Sequence, residues 1–180
     1  MNEDNDIKIY VGKNKADHVE FDAISQGIKM QIANGNSEKA RSIGELFAQI
    51  KPDDDFQKQF NYDFSASVLY QIRVLMTFTC VYAVKMTIAN EFISNTITSA
   101  MYEYLKKNEN GYFRNISDGS AFTFYRLAVN KEGNVEENIG KEFAKRCSMN
   151  NAEVEKLGAD IFKIKFDEFT QSLLSADFKE

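Results

Sequence analysis

Hydrophobic positions recur at three- and four-residue intervals over most of this chain, the spacing of one face of an α-helix. From Asp17 onward, Val19, Ala23, Ile24, Ile28 and Ile32 keep that spacing and predict an inward face. Asn34-Gly35-Asn36 ends the pattern, because glycine tolerates the left-handed backbone found at helix ends. Ser37 is placed to cap a second helix with Ala40, Ile43, Leu46, Phe47 and Ile50 inside. After Pro52, Asp54 followed by Gln57 resembles a capping box and marks a third start.

The strongest pattern lies downstream. Between Pro52 and Gly111 there is no Gly and no Pro. Within residues 63–108, Phe64, Val68, Ile72, Leu75, Thr79, Tyr82 and Met86 form one stripe. Leu69, Met76, Cys80 and Val84 form a second, and Phe78, Val81, Ile88 and Phe92 a third. A helix that is apolar all round is buried all round. As one straight rod this segment would span about 69 Å, whereas a domain of this length is only about 40 Å across. It is therefore two helices, broken at Ser94-Asn95-Thr96 or near Asn90, or one helix shared with a partner subunit.

Residues 112–129 admit two readings. Asp118-Gly119 could turn a hairpin. Phe122, Tyr125, Arg126 and Val129 instead fit a helix starting near Ser117 or Asp118, and this reading is preferred. Asn134 with Glu137 caps the next helix, whose inner face is Val135, Ile139, Phe143 and Cys147. Asn150 with Glu153 is read as the cap of the last, which runs past Leu157, Ile161, Phe162, Phe166 and Phe169 to Leu173.

The predicted fold class is all-α: an orthogonally packed bundle of six or seven helices around a central hydrophobic helix. Residues 1–16 form an N-terminal arm and 17–180 a single helical domain. Ile7, Ile9 and Val11 alternate with polar neighbours, so the alternative is α+β, with a small sheet from residues 7–11 and 112–129. One Pro and nine Gly in 180 residues favour helices over many short strands.

Charge and chemistry narrow the function classes. The net charge is −5 and no basic cluster exceeds two residues, which argues against a nucleic-acid surface. One local pattern runs the other way: residues 135–160, around Ala144, Ser148 and Met149, resemble a helix-turn-helix DNA reader. Its would-be reading segment carries Glu153, Glu155 and Asp160 against Lys156, a sign that repels phosphate. The charge-poor run from Val74 to Asn90 is interrupted by Lys85, which disfavours a membrane span. Cys80 and Cys147 suggest no disulfide framework, so a reducing cytoplasm is expected. Cys147 follows two cations that could activate its thiol, but its place on an apolar stripe reads as core.

His18 is the only histidine, too few for paired Glu-x-x-His metal ligation, and no metal ligand set is recognisable. Asp53–Asp55 read as helix-start carboxylates rather than a metal cluster. No glycine-rich phosphate cradle is present, so no cofactor is called for. The remaining candidate is Lys85, a lone charge on an apolar helix, with the Tyr82 hydroxyl one turn before it. Together they could line a small-molecule pocket. The leading expectation is a non-enzymatic, soluble interaction or structural module, partnered by itself as a homodimer or by another protein. A ligand-binding domain at Tyr82 and Lys85 comes second, and a DNA-binding regulator using 135–160 third.

Overall fold

The computed structural model describes residues 15–60 and 64–179. The strand pattern at 7–11 and most of the arm at 1–16 lie outside the described residues, as does the side chain of His18. Among those described, the chain is an all-α bundle with no β-sheet. Its elements are α1 (Lys15–Ala33), α2 (Asn36–Ala48), α3 (Asp54–Gln59), α4 (Ala66–Thr87), α5 (Glu91–Asn108), α6 (Asn110–Asp118), α7 (Ala121–Val129), α8 (Val135–Arg146) and α9 (Ala152–Leu174). That is nine helices among the described residues, more than the six or seven expected, because the chain folds into short helices such as α6 where a loop or hairpin was read.

Helix α4 is the centre. Ile72, Leu75, Thr79, Cys80 and Ala83 are almost wholly excluded from solvent on one broad face, and Val74, Phe78 and Val84 are buried on the other sides of the helix. Buried Thr79 donates its hydroxyl to the Leu75 carbonyl at 2.8 Å, so no polar atom of its side chain is stranded. The long segment does break, and near Asn90: Ile88 leaves helical geometry, and the Asn90 side chain accepts from the Ile93 amide at 3.1 Å to start α5. Ser94-Asn95-Thr96, the other candidate break, continues inside α5. Lys85 consequently falls in the last turn of α4, where a cation meets the negative end of the helix dipole.

Helix α2 packs on α5 through a different face from the one its large residues suggest. Ala40, Gly44 and Ala48 are buried, while Leu46 is 63% exposed. A Cβ on Gly44 would collide with the Ile97 carbonyl and lie 2.9 Å from the Ala100 Cβ. The small residues let the two backbones approach, so the larger Ile43 and Phe47 are displaced to the flanks. Helices α8 and α9 use the same device twice, with Gly140 against the Glu155 carbonyl and Gly158 against Phe143.

The hairpin reading of 112–129 does not hold. Tyr112 and Ile116 bury from α6, and Phe122, Tyr125 and Ala128 bury from α7, both at helical spacing. Gly119 has φ −81°, not the positive φ that a two-residue hairpin turn around Asp118-Gly119 would use.

An ion-pair cluster fixes the corner between α5 and α6. Arg73 of α4 grips Glu109 with two parallel bonds of 2.7 and 2.8 Å, and Lys51 adds a third contact at 3.0 Å. The Arg73 guanidinium lies 3.9 Å from the centre of the Tyr112 ring. The Tyr112 hydroxyl and that of Thr77 share a hydrogen bond of 2.7 Å. Burial holds the Tyr112 phenol above its usual range, and the Thr77 bond and Arg73 offset only part of that rise.

The α8–α9 corner turns on Ser148, a non-glycine residue at φ 56°. Its amide donates to the Lys145 carbonyl and that of Met149 to the Ala144 carbonyl, both at 3.0 Å, closing the end of α8. A side chain in this left-handed region is strained. Ser148→Gly is therefore expected to raise the unfolding free energy by about 0.5–1 kcal/mol in urea denaturation. A loss of stability would show that the serine side chain stabilises the turn instead. The cap of α9 falls one residue beyond the expected Asn150: Asn151 accepts from Val154 at 2.9 Å. Likewise Asp53, not Asp54, caps α3, accepting from Phe56 at 2.8 Å.

Candidate functional site

An open groove lies between α1 and α5. Gly35, at φ 77°, turns the chain from α1 into α2. Buried Asn36 then fixes the relation of the two helices, with its amide donating to Gln31 Oε1 at 2.5 Å. The same amide group ties down the C-terminal segment, donating to the Lys179 carbonyl at 2.6 Å and accepting from the Lys179 amide at 3.1 Å. Lys39 adds bonds of 2.7 and 2.8 Å to the carbonyls of Ala176 and Asp177. Helix α2 is seated on α5 by Gly44, so α1 is held alongside α5 by this chain of contacts.

Between α1 and α5 lies a concavity of about 780 Å³. Ile24, Ile28 and Met30 line it from α1, and Phe92, Asn95 and Thr96 from α5. Arg41 and Glu91 stand among its lining residues, and Arg41 is already paired with Glu103 at 3.0 Å. Of the expected inward face of α1, Ala23, Ile24 and Ile32 are exposed and Ile28 is half-buried. Gln31 is the only buried side chain described on this helix, whereas Ile24, Met30 and Ile32 are 57%, 51% and 56% exposed. The reason is geometric: α1 meets the body of the protein mainly through α2, and the Gln31–Asn36 pair turns the polar side inward.

Tyr82 and Lys85 occupy different surroundings. The half-buried Tyr82 ring packs among Phe78, Phe162 and Phe166, with centroids 6.1, 6.0 and 5.7 Å away. Lys85 is exposed and forms no ion pair with a described residue. Neither residue lines the α1–α5 groove.

The thiols are quiet. Burial pushes Cys80 well above the usual thiol range, and its Sγ lies 3.8 Å from the Met101 sulfur. Burial also lifts Cys147 to about 11, despite Lys145 and Arg146 beside it. Those cations are drawn to buried Glu142 instead, Arg146 at 2.8 Å and Lys145 at 3.7 Å. Arg146 also covers the Phe124 ring at 4.0 Å. Asp53 is committed to its cap and Asp55 to Lys58 at 3.0 Å. Among the described residues no group of three or more metal-ligating side chains converges.

Residues 135–160 do form a helix–turn–helix corner. On its second helix, Lys156 is paired with Asp160 at 2.6 Å, while Glu153 is exposed. Helix α4 is long and apolar enough to cross a bilayer by length and composition alone, and just over half of its most apolar window, 56%, is buried inside the protein. The core helix of a soluble protein meets the same description.

The fold and groove define a multi-helix bundle with a buried central hydrophobic helix and one lightly covered amphipathic helix. Comparison with protein-family models, curated proteins and solved structures finds no match to this chain.

Proposed function

We propose that this chain is a non-enzymatic helical interaction module that pairs with a second copy of itself through α1 and the α1–α5 groove. One observation carries the reading: Ile24, Met30 and Ile32 of α1 are left more than half exposed by the described residues. A helix in water draws most of its stability from packing an apolar face against other elements. Ile24, Met30 and Ile32 lack much of that cover among the described residues, and a second copy would supply it.

A second copy suits the geometry because the same region offers both halves of a contact. Ile24 and Met30 are exposed residues of the groove's α1 wall, and half-buried Ile28 and Phe92 lie beside them with open space at Gly27. Self-complementary patches of this kind close into two-fold dimers, the commonest oligomer of soluble proteins. The reading as a cytoplasmic module rests on two free, buried or half-buried thiols.

The double variant Ile24→Glu/Met30→Glu tests the surface. Both side chains are exposed in the single chain, so helix content by circular dichroism should stay unchanged. The particle mass should fall to that of one chain. A variant that keeps the parent's assembly would place the contact elsewhere.

A further inference from the structure

We infer that the cleft enclosed by α5, α6 and α7 is a binding site for a small aromatic carboxylate, with Arg126 as its counter-ion. This site is separate from the α1 surface and does not depend on self-association.

The cleft holds about 250 Å³ and is walled by Tyr102, Phe113, Ile116, Phe122, Thr123 and Arg126. Ile116 and Phe122 are buried and form an apolar base. Tyr102 and Phe113 meet edge to face, 6.2 Å between ring centres at 65°. Such a wall accepts one more ring in the same edge or offset geometry. The volume lies just below the usual 300–1,000 Å³ or so of ligand pockets, which limits the guest to about one ring with a short tail.

Arg126 is the single charged residue on that wall. Arg41, Arg73 and Arg146 each meet a carboxylate of the protein, whereas the exposed Arg114 and Arg126 do not, and of these two only Arg126 lines the cleft. Arg126 forms no ion pair or hydrogen bond through its side chain with any described residue. Asp118 is close in sequence, but it accepts the Ser117 hydroxyl at 3.3 Å and is not part of the wall. A guanidinium presents a planar fork of donors that matches a planar carboxylate.

Burial raises the Tyr102 phenol, and Arg126 acts on it in the opposite direction, so the guanidinium is within electrostatic reach of that hydroxyl. Tyr102 and Arg126 both line the cleft. Helix α7 also begins without a side-chain cap bond, beside Phe122 and Thr123.

The test is an amide-resolved NMR titration of the full chain with phenylacetate, phenylacetamide and acetate. Phenylacetate should saturate at about 1–10 mM, an affinity ordinary for a fragment of that size, and shift amides within residues 102–126. Phenylacetamide, lacking the charge, and acetate, lacking the ring, should each bind at least about ten-fold more weakly. Arg126→Gln should weaken phenylacetate at least about ten-fold with an unchanged urea midpoint, and Arg126→Lys should restore part of the loss. No saturable shift up to about 20 mM would overturn the assignment. So would equal binding of acid and amide, indifference to Arg126→Gln, or shifts centred outside this cleft.

Discussion

Phe143→Ala is expected to lower the unfolding free energy by about 3–5 kcal/mol, among the largest losses for a single side chain in this protein. Phe143 is fully buried and joins α8 to α9. An ideal Cβ on Gly158 would lie 2.6 Å from the Phe143 Cβ and 2.7 Å from its ring, so the ring fills the space a larger residue at 158 would need. The same geometry predicts that Gly158→Ala in the parent overpacks the seam, at a loss of about 1–3 kcal/mol. Phe143→Ala removes the ring contacts at 2.7 and 2.8 Å but keeps the Cβ at 2.6 Å, so the double variant should recover only the part of the loss that the ring causes and fall modestly short of the sum of the two. A urea-denaturation double-mutant cycle reads this directly. Strict additivity would show that Phe143 and Gly158 do not share that space.

The second large effect lies at Glu109. Two bonds from Arg73, and then one from Lys51, hold its carboxylate down at about 2 from an ordinary 4.5, against a smaller opposing effect of burial. The folded form thus favours the ionised acid. Its contribution is complete above about pH 4.5 and is lost as the pH falls through about 2, where the folded carboxylate takes its proton. A displacement of this size corresponds to at most about 3 kcal/mol, reduced by solvent screening because Lys51 is half exposed. Glu109→Gln should therefore cost about 1–2 kcal/mol near pH 7, and its stability gap from the parent should close between about pH 4.5 and pH 2. A gap that stays constant across that window would mean the Arg73 bridge contributes nothing to folding. The α5–α6 corner should respond first, because Arg73 and Tyr112 form its inner side.

Much of the helical order was legible because it rests on local chemistry. Asn90 marked the α4–α5 break through its capping side chain, although no Gly or Pro stands there. Asn134 capped α8 as its sequence suggested, accepting from Glu137 at 2.9 Å. Adjacent candidates defeated the same logic at Asp53–Asp54 and Asn150–Asn151, where two similar side chains compete and only backbone geometry decides.

What the sequence hid were relations between helices. The Ala40, Gly44 and Ala48 face looks unremarkable beside Ile43, Leu46 and Phe47, yet close approach to α5 selects the small residues. The stripe of α1 was visible as a stripe, but whether its partner lies within the chain depends on where α5 runs. Lys85 drew notice as a charge in an apolar run, and once the helix ends at Thr87 it is a solvated residue of the last turn. The partners of Arg73 and the freedom of Arg126 could not be read at all, since Glu109 is far away in sequence and nothing local distinguishes the two arginines.

The central claim is that the exposed stripe of α1 is covered by a second copy. Light scattering on the full chain, over a wide concentration range, tests it most directly. A particle of twice the 20.6 kDa chain mass is expected, reverting to one chain in the Ile24→Glu/Met30→Glu variant. A parent protein that remains a single chain at the highest concentration would contradict it.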